Sequence, residues 1–177
     1  MLPKLTLIIG AAASGKSTFA ERLVTTTMRA RTYIATAQAF DDEMRAKISR
    51  HRNMRGAGWH TIEAPLDIPA ALQQVPTDHV VLIDCATLWL SNHLLAESDL
   101  QQAEADLLHA LKTCPAPVAI VSNEVGAGVV PDNALSRKFR EAQGHLNQHL
   151  AAQADLVVTV IAGLPMVLKG TLPEALE

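Results

Sequence analysis

The stretch LTLIIGAAASGKST, running from Leu5 to Thr18, decides how this chain folds. Leu5 to Ile9 is a continuous apolar run, the pattern of a strand buried on both faces. Gly10 to Ser17 then matches G-x-x-x-x-G-K-[ST] without departure. Residues 16–28 follow as a helix with Phe19, Ala20 and Leu23 on one face. In that context the spacing makes a phosphate cradle. The backbone of Gly10, Ala11, Ala12, Ala13, Ser14 and Gly15 wraps its N–H groups inward, and the helix N-terminus adds partial positive charge. Lys16 reaches the β- and γ-phosphates, and the Ser17 hydroxyl is a ligand for Mg²⁺. A plain strand–helix turn is the bland alternative, and the complete motif with both flanks disfavours it. The apolar N-terminus leads straight into this motif, so it reads as a first strand rather than a signal peptide.

Working outward, short apolar runs alternate with longer helical stretches, the signature of a mostly parallel α/β sheet. Strands are expected at 32–35, 59–63, 80–83, 118–122 and 156–161. Helices are expected at 41–54, 68–74, 88–96, 100–113 (capped by Ser98) and 133–153. Residues 163–177 read as a tail. The expectation is one P-loop NTPase-like α/β domain over 1–177, a doubly wound, mostly parallel sheet flanked by helices. Ligands of such sheets bind beyond the carboxyl ends of the strands.

Composition narrows the partners. The 177 residues are 49% hydrophobic, with only two Trp, one Tyr and three Phe, so the core is aliphatic and base-stacking platforms are disfavoured. A net charge of −3 provides no global basic field for nucleic acid, so phosphate binding is local. No apolar run approaches the roughly 20 residues of a membrane helix. Cys85 and Cys114 lack metal-ligand spacing, and a reduced, cytoplasmic protein is the simplest expectation.

Two further elements bear on chemistry. Val80-Val-Leu-Ile83 runs into Asp84, a carboxylate at a strand's carboxyl end that can hold Mg²⁺ beside Ser17. His51 stands among Arg50, Arg52 and Arg55, which for an arbitrary helix reads as a solvated basic face. No Asn-Lys-x-Asp guanine-reading motif is present. A compact chain with a phosphate loop and no switch apparatus reads as a small-molecule kinase or nucleotidyltransferase.

The order of the remaining strings is more specific: YIATAQ at Tyr33–Gln38, DDEM at Asp41–Met44, HRNMR at His51–Arg55, then Trp59 and Glu63. LIDCATLWLSN follows at Leu82–Asn92 and SNEVGAGVVP at Ser122–Pro131. With the phosphate loop, these make the chain resemble the bifunctional adenosylcobinamide kinase / adenosylcobinamide-phosphate guanylyltransferase family of cobalamin biosynthesis, from residue 5 to about residue 169. The resemblance implies phosphorylation of adenosylcobinamide with ATP or GTP, then transfer of GMP from GTP to that phosphate through a histidine–GMP intermediate, with His51 as nucleophile. It implies nucleotide contacts at Gly10 to Ser17, Ala35, Thr36, Ala37, Arg52, Asn53, Met54, Arg55, Glu63 and Asp84, and a homo-oligomer, a trimer in the family, with the site near a subunit boundary. The sequence departs from the family's usual pattern at Ala13, Gly56 and His60, where Arg, Pro and Arg are common.

Two competing functions remain at this level: a kinase without guanylyl transfer, which has no need of His51, and a nucleotide-dependent binding module. Glu124, in a glycine-bearing loop at a strand's end, reads equally as a substrate- or Mg²⁺-facing group and as a loop cap. His145 and His149 are spaced i, i+4, a metal face only if a third ligand joins them.

Overall fold

A computed structural model describes residues 2–38 and 56–176. The expected helix over 41–54 and the cluster of His51, Arg52, Asn53, Met54 and Arg55 lie outside the described residues. The elements in chain order are β1 (Leu5–Gly10), α1 (Lys16–Thr25), β2 (Ala30–Ala35), β3 (Trp59–Glu63), α2 (Ile68–Gln73), β4 (His79–Asp84), α3 (Ala86–Leu95), α4 (Leu100–Thr113), β5 (Val118–Asn123), α5 (Ala134–Gln153), β6 (Leu156–Ile161) and β7 (Leu164–Lys169). A short 3₁₀ turn covers Glu174–Leu176.

The strands form one seven-stranded sheet in the order β3-β2-β4-β5-β1-β6-β7. All neighbours are parallel except β6 and β7. The P-loop NTPase-like expectation is met: a doubly wound, mostly parallel sheet with helices on both faces. The alternation of side chains along the strands divides the core in two. Leu5, Leu7, Val81, Ile83, Val118 and Ile120 face one way, against Ile68, Leu72, Trp89, Leu107, Leu111, Leu146 and Leu150 of α2 to α5. Ile8, Val80, Leu82, Ala119, Val121, Val158 and Val160 face the other way, against Phe19, Ala20, Leu23 and Val24 of α1.

Several strand and helix ends differ from the sequence expectation by one or two residues, and three larger differences have clear physical causes. α1 stops at Thr25, because Thr25, Thr26 and Thr27 turn their hydroxyls back onto the carbonyls of Glu21, Leu23 and Val24, and Met28 takes a left-handed φ of 56°. α4 is capped by Asp99 rather than Ser98: Asp99 Oδ1 accepts from Gln101 N at 3.0 Å and Gln102 N at 3.1 Å. The segment after 163 is not a tail. Ala162 and Gly163, with φ of 51° and 80°, make the two-residue turn of a hairpin, and β7 returns antiparallel along β6.

Candidate active site at the carboxyl edge of the sheet

The sequence between β1 and α1 folds as a tight loop because two glycines permit close approach. A Cβ on Gly10 would stand 2.5 Å from Ser14 Oγ and 2.6 Å from the Val160 carbonyl oxygen. Gly15 sits at φ 93°, where it is the N-cap of α1 and has no side chain to cap the helix. The leading N–H groups of α1 are therefore not answered by a cap side chain, and that is the arrangement an anion uses. Lys16 is buried and lays its Nζ across the loop, donating to the Ala11 carbonyl at 2.9 Å. Ser17 is half-buried at the helix start, while Ala11, Ala12 and Ala13 are exposed.

Neighbouring strands hold the loop in place. Glu124 N–H donates to the Gly10 carbonyl at 3.1 Å, and Gly163 N–H donates to the Ser14 carbonyl at 2.8 Å. Gly10→Ala is expected to force the loop apart. Overpacking of this kind costs about 1–3 kcal/mol, which corresponds to a fall of roughly 2–12 °C in Tm for a chain of this size. Differential scanning calorimetry checks it, and an unchanged Tm would show that Ser14 and Val160 can give way.

The strand ends bring the other sequence-predicted residues to the same edge. Ala35 of β2 is in register with Glu63 of β3 on one side and Asp84 of β4 on the other. Beyond β4, β5 separates Asp84 from the β1 strand that carries the phosphate loop. Asp84 is half-buried and accepts from the Tyr33 hydroxyl at 3.2 Å. Thr36 is fully buried and locks the turn after β2: its hydroxyl donates to the Cys85 carbonyl at 2.8 Å and accepts from Cys85 N at 2.7 Å. Ala37 is half-buried beside it, and Glu63 is exposed at the end of β3.

Cys85 is buried. Burial first, and the adjacent Asp84 charge second, push its thiol up to about 11. Its sulfur accepts from Leu88 N at 3.4 Å, capping α3. Cys114 is also raised by burial.

Glu124 proves to be a loop cap: its two carboxylate oxygens accept from Gly126 N at 2.7 Å and Ala127 N at 3.2 Å. His149 pairs with Glu104, and among the described residues no group of three His, Cys, Asp or Glu is arranged to hold a metal. No helix among them is long and apolar enough to cross a membrane. Trp89 is a packing residue, fully buried, with its indole N–H donating to the Leu66 carbonyl at 2.8 Å. Trp59 stacks under the Arg31 guanidinium at 5.2 Å.

Sequence reasoning missed the groups that brace this edge. Buried Asn92 donates to the Thr36 carbonyl at 2.8 Å and the Pro65 carbonyl at 2.9 Å, tying the turn after β2 to the loop after β3. Thr87 Oγ1 accepts from Asn123 N at 2.7 Å. Gln143 is fully buried and donates to Ser122 Oγ at 2.9 Å and Asn147 Oδ1 at 3.0 Å, while Asn147 donates to the Asn123 carbonyl at 3.0 Å. The i, i+4 spacing of Gln143 and Asn147 and the lone Asn in an apolar helix were the available signals.

Comparison with known proteins follows the same lines. The flagellar accessory protein FlaH from Methanocaldococcus jannaschii superposes with a TM-score of 0.52 over 96% of this chain and 80% of its own, at 13% identity, a likeness of fold alone. The bifunctional adenosylcobalamin biosynthesis protein CobP of Pseudomonas aeruginosa is 45% identical over 168 residues, 93% of this chain and 96% of that protein. The bifunctional adenosylcobalamin biosynthesis protein CobU of Salmonella typhimurium is 40% identical over 180 residues, 92% of this chain and 98% of that protein. The family model for cobinamide kinase / cobinamide phosphate guanyltransferase matches residues 6–168. This chain belongs to the cobinamide kinase / cobinamide phosphate guanyltransferase family.

Proposed function

We propose that this chain carries out two successive steps of cobalamin biosynthesis. In the first, the hydroxyl oxygen of adenosylcobinamide attacks the γ-phosphorus of ATP or GTP; the bond to the nucleoside diphosphate breaks and the hydroxyl proton is released. In the second, an imidazole nitrogen of His51 attacks the α-phosphorus of GTP and pyrophosphate leaves. A phosphate oxygen of adenosylcobinamide phosphate then displaces the imidazole, giving adenosylcobinamide-GDP. The observation that carries this reading is the family match over residues 6–168, whose description pairs a kinase with a guanyltransferase.

The edge geometry supports it. Phosphoryl and nucleotidyl transfer ask the protein for positioning and for charge placed where the transition state becomes more negative. The loop from Gly10 to Ser17, its uncapped helix start and Lys16 supply both. Ser17 and Asp84 would each supply an oxygen donor, which suits Mg²⁺ held jointly with phosphate oxygens and water. When bound, the metal neutralises charge on the phosphates, and the Tyr33 hydroxyl fixes how the Asp84 carboxylate is turned. Ala35, Thr36, Ala37 and Glu63 lie along the edge for the nucleoside end, with Arg52, Asn53, Met54 and Arg55 assigned to phosphate and nucleotide contacts by the family pattern. A homo-oligomer, trimeric as in the family, extends the same reading, and analytical ultracentrifugation tests it.

Incubation with GTP labelled at the α-phosphate tests the function. An acid-labile, alkali-stable label on the protein is the expected result, since a phosphoramidate has that stability. A chain that phosphorylates adenosylcobinamide but never takes up the label is a plain kinase.

Asp84→Asn keeps the hydrogen bond from Tyr33 but removes the charge. Metal-assisted charge stabilisation is worth several kcal/mol, so Mg²⁺-dependent turnover should fall by about a hundredfold, while nucleotide binding without metal changes little. An unaltered Mg²⁺ dependence would leave Asp84 as a strand-end residue.

A further inference from the structure

The segment between β5 and α5 carries apolar side chains where solvent would ordinarily meet polar ones. Val129 is 95% exposed and Val130 66%, and Leu135, in the first turn of α5, is 53% exposed. Single exposed apolar residues are ordinary. Three lie within seven positions of the segment that follows β5, the strand beside β1, and exposed apolar side chains gathered in one segment are a mark of a binding surface.

Both limbs of this loop are fastened, which leaves the valines presented on a fixed support. At the near limb, the Glu124 carboxylate accepts from Gly126 N and Ala127 N at 2.7 and 3.2 Å, and Arg140 donates to the Gly126 carbonyl. At the far limb, Arg137 donates to the carbonyls of Pro131 and Asp132 at 3.0 and 2.6 Å, and Asn133 Oδ1 accepts from Ser136 N at 2.7 Å. The root is tied to the phosphate loop itself, through Glu124 N–H to the Gly10 carbonyl at 3.1 Å. Val129 is five positions beyond that root, so it stands within about 18 Å of it however the loop runs.

We propose that Val129 and Val130, together with Leu135, form the apolar contact for the macrocycle of the corrinoid substrate and set the selectivity for it. The inference rests on the function proposed above. The phosphoryl acceptor is a hydroxyl on a side arm of a large macrocycle. When that hydroxyl reaches the phosphate loop, the ring must lie beyond the strand ends and outside the nucleotide cradle. Its alkyl-bearing periphery matches exposed aliphatic side chains better than it matches charge. Loop limbs that are already ordered spare the complex the entropy of fixing them.

The test is the double substitution Val129→Thr with Val130→Thr, which keeps β-branching and size but makes both tips polar. Loss of apolar contact at two side chains should raise KM for adenosylcobinamide about tenfold, with KM for GTP moving little. Label taken up from α-labelled GTP in the absence of corrinoid reports the nucleotide half separately. If the label forms and KM for adenosylcobinamide is unchanged, the loop assignment is overturned and the proposed function stands. A changed sedimentation coefficient with unchanged corrinoid KM would also overturn it, and would assign the patch to a second copy of the chain. If the wild-type protein takes up no label and does not act on adenosylcobinamide, both the function and this contact fail together.

Discussion

His51→Ala should take up no label from GTP labelled at the α-phosphate and should form no GDP-linked product, while retaining substantial phosphorylation of adenosylcobinamide. The two halves separate because they ask for different things. Phosphoryl transfer from nucleotide to hydroxyl is direct and depends on positioning and charge. Guanylyl transfer through a covalent intermediate needs a nucleophile with a free lone pair, and an imidazole is that nucleophile only when neutral. Acidification should therefore suppress labelling, because the protonated ring has no free lone pair. Loss of Arg52 or Arg55 should act differently, weakening GTP use without moving the label. Peptide mapping of the labelled protein is decisive: a label on any residue other than His51 removes the reason to prefer a bifunctional enzyme over a plain kinase.

Lys16→Ala should lower both reactions by orders of magnitude. In the resting loop the ammonium already lies across the cradle, bonded to the Ala11 carbonyl at 2.9 Å. Little motion is needed for it to meet phosphate oxygens, and such preorganised charge is usually the largest catalytic contribution. Removing one such group costs about 10²–10³ in rate. The sheet should persist, because the backbone contacts of Gly10 and Ser14 with Glu124 and Gly163 do not involve the lysine side chain. Circular dichroism on the variant separates lost chemistry from lost structure, and near-normal turnover would sink the phosphate-loop assignment.

Much of this architecture could be read from local pattern. The buried strands β1, β4 and β5 are built on apolar runs, broken in β1 only by Thr6, and the phosphate loop is defined by spacing within eight residues. What escaped reading depends on distant pairings. The run LPMVLK from Leu164 to Lys169 contains Pro165 and has no clean alternation; it is a strand because β6 offers an edge and Ala162-Gly163 can make the turn. Ser98 and Asp99 are both good caps by type, and only the backbone path chooses between them. Asn92 and Gln143 look like stray polar residues until the fold brings Thr36, Pro65, Ser122 and Asn147 to them. Glu63, Asp84 and Ser17 were legible as strand-end and loop positions.

The position of β1 in the sheet has a consequence for how the protein is made. Its two partners are β5 and β6, which begin at Val118 and Leu156, and its loop is pinned by Gly163. The ribosome produces the phosphate loop well before either of the two strands that flank β1. Contacts of such long sequence separation form slowly and late. Until β5 emerges the run from Leu5 to Ile9 has no native strand neighbour, leaving a sticky segment for chaperones to cover. A nascent chain arrested before β6 emerges should be unable to retain nucleotide, so competence for phosphate binding is acquired long after the loop itself has been made.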